Sequence, residues 1–404
     1  MKNKKRAKWL KPRHRLVRNF FGFVLKPYIV HKYGIKIEPF KEQNGRQYLV
    51  LYNHQTGFDQ FFVGLAFKCP IYYLATEDIF SLGFLSSLLR YLVAPIPIKK
   101  QTTDVQAILN CIRVAKEGGT IAIAPEGNRT YSGRTEFMSP SIASLARKMK
   151  LPIALYRIEG GYGVQPRWSD VVRKGKMRSY VSKVIEPEEY ASLSDDELFK
   201  LIEEGLYVDE AKDDACFYHK KNAEYLERVL YVCPDCGLST FKSHKCTVKC
   251  LKCGKEVEYL PSKELKGKGF DLPFRFVADW YNYQKDYINS LDTTADCSAP
   301  LYTENADIYD VIPNKKKVLL EKDAPICLYG DKITIKFSGS ETVFNFSETS
   351  AISVLGKNKL NIYHGDKIYQ LKGSESFNAL KYVNLYYRYK NIIKGDSNDK
   401  FLGL

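Results

Sequence analysis

Hydrophobic positions along the chain keep one pattern as far as residue 186 and another from residue 316 onward. In the first region, short apolar runs rich in β-branched and aromatic residues alternate with stretches of helical period. "YLVLYN" precedes "FDQFFVGLAF", "IYYLAT" precedes "IFSLGFLSSLLRYL", and "APIPI" precedes "TDVQAILNCIRVAKEGG". "TIAIAPEG" then precedes "SPSIASLARKMK", and "LPIALYRIEGG" follows. Thr103 is a candidate N-cap and Gly118-Gly119 a stop; Ser139 is a second cap, with Pro140 at the first helical position. "SDDELFKLIEEGLYVDEAK" opens with the capping box Ser194 and Glu197. This alternation predicts an α/β fold with a mostly parallel sheet flanked by helices, in which active groups collect where strands end. From residue 316 the period shortens to two, in "KKVLLEKD", "ICLYGDKITIKF", "TVFNF", "AISVL" and "KLNIYHGDKIYQLKG". Gly330-Asp331 and Gly365-Asp366 mark two-residue hairpin turns, and "SESFNALKYVNLYYRYKNIIKG" reads as one closing helix.

Charge changes the picture at one end. The net charge is +16, and residues 1–37 hold twelve Lys or Arg and no acidic residue. On a helical wheel Leu16, Val17, Phe20, Phe21, Phe23 and Val24 share one arc, with Arg15, Arg18, Asn19 and Lys26 opposite. This is the pattern of a helix lying in an anionic lipid interface, so residues 1–40 are read as a basic membrane-contact segment. A solvated helix packed on the domain and a basic arm on nucleic acid are the competing readings. Ile79 to Ile98 carries Arg90, Pro95 and Pro97 and is a poor membrane span, and Phe20 to Leu25, cut by Lys26 and Pro27, is a poor secretory signal.

The candidate chemistry sits at two strand ends. His54 follows "YLVLY" directly, and Asp59 comes shortly after it in a glycine-containing loop. A neutral imidazole can remove a hydroxyl proton if a carboxylate sets its tautomer and stabilises the imidazolium. In "APEGNRTYSG", Glu126, Gly127 and Arg129 follow another strand; Gly127 permits close backbone approach and Arg129 offers a forked donor for a phosphate monoester. A loop-packing histidine and a salt-bridged surface loop are the bland readings of each motif alone.

Taken together, N-H-x4-D and the later P-E-G-x-R resemble the glycerolipid acyltransferase family, which includes 1-acylglycerol-3-phosphate acyltransferases, over about residues 15–228. The resemblance implies His54 as general base and Asp59 as its orienting partner. It also implies that Glu126, Gly127 and Arg129 bind the acceptor, with Arg129 at the phosphate. Pro152 centres a stretch similar to the family's fourth motif. The second motif usually ends in arginine, whereas Lys99 and Lys100 stand here, and Ala124 replaces a bulky apolar residue in the third. Lysine supplies charge to a phosphate but no planar fork.

Ten cysteines include Cys233-x2-Cys236 and Cys250-x2-Cys253, each pair followed by glycine. This spacing predicts a zinc ribbon with four thiolates and a structural Zn2+ without an open position; Cys246 and His244 lie between the pairs as alternative ligands. Lys242, Lys245, Lys249 and Lys252 make it basic, but they come without an aromatic stacking platform, which disfavours nucleic acid. The C-terminal pattern resembles the pleckstrin-homology and GRAM type of domain. The expected organisation is a membrane-contact segment (1–40), an acyltransferase domain (41–228), the ribbon (229–260), a connector (261–315) and the β domain (316–404). The expected function is O-acyl transfer from an acyl thioester, carried by coenzyme A or acyl carrier protein, to a lysophospholipid-like acceptor such as 1-acylglycerol-3-phosphate, giving phosphatidic acid. The expected location is peripheral, on the cytoplasmic face of a membrane. The alternatives are another lysolipid acceptor or a non-catalytic membrane lipid-binding scaffold.

Overall fold

The computed structural model describes residues 8–76, 79–80, 83–98, 104–212, 214–295, 297–312, 317–337 and 339–395. The chain forms two compact units, Met1–Arg129 with Thr135–Val164 and Gly175–Asp209, and Thr130–Arg134 with Gln165–Lys174 and Glu210–Leu404. Among the described residues no helix is long and apolar enough to cross a membrane.

The first unit runs α1 (Pro12–Tyr33), β1 (Ile35–Ile37), β2 (Leu49–Tyr52), α2 (Asp59–Ala66), β3 (Ile71–Thr76), α3 (Phe84–Val93), β4 (Ile96–Ile98), α4 (Val105–Lys116) and β5 (Thr120–Ile123). It continues with α5 (Ser141–Met149), β6 (Ile153–Glu159), the single turn α6 (Gly161–Val164), β7 (Met177–Ile185), α7 (Pro187–Ala191) and α8 (Asp195–Leu206). The strands form one sheet in the order β1-β7-β6-β2-β5-β3-β4. Only the β6–β7 pairing is antiparallel; every other pair is parallel. Strands β2 and β5 are buried along their whole length, which explains their unbroken apolar sequences. Leu49, Leu51, Ile121 and Ile123 pack with Val114 of α4, Ala143 and Ala146 of α5, and Leu198 and Ile202 of α8.

Helix starts follow local chemistry. Asp104 caps α4 by accepting the Ala107 N–H at 3.0 Å, while Thr103 lies outside the described residues. Ser194 and Glu197 form the expected capping box of α8. Helix α3 begins at Phe84 and not at Ile79, because Gly83 takes φ +64°, a left-handed conformation that interrupts helical backbone. Helix α5 begins at Ser141, placing Pro140 at the cap and not inside the first turn.

The second unit contains a two-stranded ribbon, β8 (Val232–Cys233) and β9 (Gly237–Leu238), and a four-stranded sheet. That sheet holds β10 (Phe241–His244), β11 (Thr247–Cys250), β12 (Glu256–Tyr259) and β13 (Leu265–Gly267). Helix α9 (Val277–Ser290) follows, then β14 (Tyr302–Asp310), β15 (Val318–Leu328), β16 (Lys332–Phe337), β17 (Ser340–Asn345), β18 (Thr349–Leu355), β19 (Lys359–His364), β20 (Lys367–Gly373) and α10 (Leu380–Ile393). Strands β14 to β20 make an antiparallel sheet in the order β17-β16-β15-β14-β20-β19-β18, and α10 packs on β18. The turns at Gly330-Asp331 and Gly365-Asp366 are present as expected. Its central strand, β14, comes from the stretch read as connector.

Candidate active site

Topology explains why two motifs distant in sequence meet. Strands β2 and β5 are parallel neighbours in register, Leu49 beside Ile121 and Leu51 beside Ile123, so the loops after them leave the same edge of the sheet. The loop after β2 carries His54; the loop after β5 carries Glu126 and Arg129.

His54 and Asp59 are in contact. The imidazole Nδ1–H donates to Asp59 Oδ2 at 2.7 Å, so Nε2 is the nitrogen that carries the lone pair. Asp59 opens α2 and is fully buried; its oxygens also accept the N–H of Gln55 (2.6 Å), the N–H of Thr56 (2.9 and 3.0 Å) and the Thr56 hydroxyl (2.6 Å). The carboxylate is therefore held by the loop it closes, and a buried charge with this many donors is satisfied. Asn53 fixes the other side. Its amide donates to Ile158 O and accepts from Ile158 N–H, both at 2.8 Å, extending the β2–β6 ladder by one side chain. Behind the loop, Gly161 leaves room that no other residue could: a Cβ there would stand 2.6 Å from Gln55 Cβ.

Glu126 reaches the same loop. Its Oε1 accepts the His54 backbone N–H at 2.7 Å, so it holds the backbone that carries the imidazole. Burial raises its carboxyl to about 8; Asp59 and Glu136 push the same way and the His54 N–H opposes them. In the fold the group stays protonated between its ordinary value of 4.5 and about 8, whereas in the unfolded chain it ionises near 4.5. Its contribution to stability is therefore complete below pH 4.5 and is lost as pH rises to about 8. Glu126→Gln, neutral at every pH and still an acceptor, is expected to remove that slope. Denaturant unfolding of both proteins at stepped pH checks this, and parallel pH curves would contradict it.

Arg129 lies beside the loop: Nη1 is 3.7 Å from the point where a Cβ on Gly57 would stand. Tyr33, at the end of α1, packs its ring tilted against Phe58 and edge-on to Phe62, with centroids 5.3 and 5.6 Å apart. Its phenol pKa is raised by burial, with Tyr28 and Asp59 adding to the rise and Arg129 opposing it, so the charges of Arg129 and Asp59 are both felt at Tyr33. Lys99 and Lys100 lie outside the described residues. The sequence motifs assign no role to Asn53, Thr56 or Tyr33; Asn53 and Thr56 sit inside the N-H-x4-D motif itself, whereas nothing local marks Tyr33.

Residues 35–158 match the family model described as Acyltransferase. This stretch is an acyltransferase domain. It contains His54, Asp59, Glu126 and Arg129, and all the strands that position them. Among solved structures the chain is similar to the 1-acyl-sn-glycerophosphate (LPA) acyltransferase PlsC from Thermotoga maritima, at 21% identity over 48% of this chain and 91% of that one, with a TM-score of 0.36. No curated protein matches the chain.

Outside the acyltransferase domain, Cys233, Cys236, Cys250 and Cys253 come together, their sulfurs all within 4.8 Å of one another. Cys233 and Cys253 Sγ are 3.8 Å apart, about the separation that tetrahedral thiolates at about 2.3 Å from zinc require. Backbone N–H groups of Asp235 and Cys236 point at Cys233 sulfur, and those of Lys252 and Cys253 at Cys250 sulfur, which suits thiolate ligands. The residues fit a four-thiolate metal site. Cys246 points elsewhere, toward the carbonyls of His219 and Lys220.

Proposed function

We propose that this protein is a peripheral-membrane O-acyltransferase that transfers a fatty acyl group from an acyl thioester to the hydroxyl of a lysophospholipid-like acceptor, 1-acylglycerol-3-phosphate first among them. The observation that carries the reading is the His54–Asp59 pair at 2.7 Å, in a loop held by Glu126 and flanked by Arg129. In the reaction, Nε2 of His54 takes the acceptor hydroxyl proton as the oxygen attacks the thioester carbonyl. The C–O bond forms, the C–S bond breaks, and the proton passes to the departing thiolate. Asp59 stabilises the imidazolium between the two steps. The thiol is a good leaving group, so no covalent enzyme intermediate is needed. Arg129 holds the acceptor phosphate and thereby positions its hydroxyl. The donor is carried by coenzyme A or by acyl carrier protein. A zinc ion on the four cysteines would be structural, because four thiolates complete its coordination. Helix α1, with its basic residues and exposed phenylalanines, meets the membrane at its cytoplasmic face.

The test is a panel of acceptors, with and without phosphate, offered with both donor types and read by lipid mass analysis. Arg129→Lys is expected to raise KM for a phosphate-bearing acceptor by about tenfold or more, with a smaller effect on kcat, because the planar fork is lost. Turnover with none of the lysolipids would overturn the proposal.

A further inference from the structure

Helices α4, α5 and α8 turn apolar side chains toward the sheet, as helices of a water-soluble unit must. Helix α3 and the first half of α1 reverse this order, although α1 buries Ile29 and Tyr33 at its end. In α3, Phe84 is 84% exposed and Leu85, Leu88, Tyr91 and Val93 also face outward, while the most buried residue is a serine, Ser86, whose hydroxyl donates to Ile79 O at 2.7 Å. In α1, the stripe Leu16, Phe20 and Phe23 points outward, Phe23 at 85% exposure, and Phe21, Val24 and Tyr28 lie alongside it. The buried residues of α1 include a histidine, His14, bonded through Nδ1 to the Tyr72 hydroxyl at 3.0 Å.

The two inverted helices touch. Arg13 donates from Nε to Tyr91 O at 2.8 Å, and its guanidinium carbon is 4.0 Å from the centre of the Tyr91 ring. The two segments carry charge of one sign: neither Pro12 to Tyr33 nor Ile79 to Ile98 contains an acidic residue, and Arg15, Lys26 and Arg90 are exposed. Two adjoining helices that expose phenylalanines and leucines form an apolar surface unusual for a protein surrounded by water. The cations around it match anionic head groups.

We propose that α3 is a second membrane-inserting helix, and that α1 and α3 enter an anionic phospholipid interface together, with Arg13 and Tyr91 joining them at the head-group level. This rests on the peripheral-membrane part of the function proposed above and adds a residue-level footprint to it.

The test uses the full chain with vesicles of phosphatidylcholine alone and of phosphatidylcholine with phosphatidylglycerol. Two double variants are compared, Phe84→Ser/Leu88→Ser in α3 and Phe20→Ser/Phe23→Ser in α1. Each is expected to weaken partitioning onto the anionic vesicles by about tenfold or more, with unchanged thermal unfolding and unchanged turnover on detergent-dispersed substrate. Wild-type partitioning by the α3 variant, alongside loss in the α1 variant, would overturn the role of α3. So would a wild-type dimer that the α3 variant dissociates without change in vesicle binding, since the surface would then belong to a second copy. Reduced turnover of the α3 variant on detergent-dispersed substrate would instead place α3 on the acyl chain and also overturn it. If the wild-type chain binds vesicles through both helices yet acylates no lysolipid, the proposed function fails and the footprint stands.

Discussion

Replacing His54 with alanine is expected to lower acyl transfer by about 10³-fold while the protein folds normally, the size of effect that removal of a positioned general base produces. The fold should tolerate the change for reasons visible in the loop. Glu126 holds the backbone N–H of residue 54, which alanine keeps. Asp59 loses the imidazole but retains the N–H groups of Gln55 and Thr56 and the Thr56 hydroxyl, so its buried charge is not stranded. The imidazole itself is partly exposed and fills no core. Asp59→Ala should behave differently, losing activity and stability together, because it leaves buried donors without an acceptor. Steady-state kinetics and thermal unfolding of both variants separate the two cases. Near-wild-type turnover in His54→Ala would remove the imidazole from the mechanism.

The second large effect concerns the cysteine cluster. Cys250→Ser, or treatment with a strong zinc chelator, is expected to cost roughly 5 kcal/mol or more of the second unit's stability, since metal binding and folding are the same free energy at such a site. For a unit of this size that is a fall of about 10–20 °C in its melting temperature. The loss should not stay local. Cys233, Cys250, Phe241 and Val248 share one core with Trp280 of α9 and with Ile308 and Ile326 of the C-terminal sheet. Gln284 of α9 accepts from Tyr231 N and Val232 N at 2.7 and 3.0 Å, and Tyr302 at the start of β14 donates to Tyr231 O at 2.7 Å. Metal analysis of the purified protein and calorimetry before and after chelation check this. A protein without zinc, with a transition indifferent to chelators, would contradict it.

Much of this arrangement can be read from residues alone, for local reasons. Buried parallel strands announce themselves as unbroken apolar runs, and the hairpins at Gly330-Asp331 and Gly365-Asp366 need only turn chemistry. The proximity of His54 and Asp59 follows from a short loop between a strand end and a helix start. Strand β14 is hidden because "TENADIYD" shows mostly polar residues, and only Ala306 and Ile308 in its middle are deeply buried. The start of α3 is misplaced because a helical apolar pattern runs straight through Gly83. The role of Glu126 is also not local: a carboxylate in a strand-end loop suggests a ligand for substrate, and its grip on the His54 N–H depends on strand order.

That Asn53 pairs with Ile158 has a consequence for synthesis of the chain. Both motifs precede Ile158 in the chain and so emerge from the ribosome ahead of it. Until it does, β2 is an open, wholly apolar edge, a site for wrong pairing with other nascent chains. A fragment ended after Arg129 would contain His54, Asp59, Glu126 and Arg129 and still lack the strand that holds Asn53.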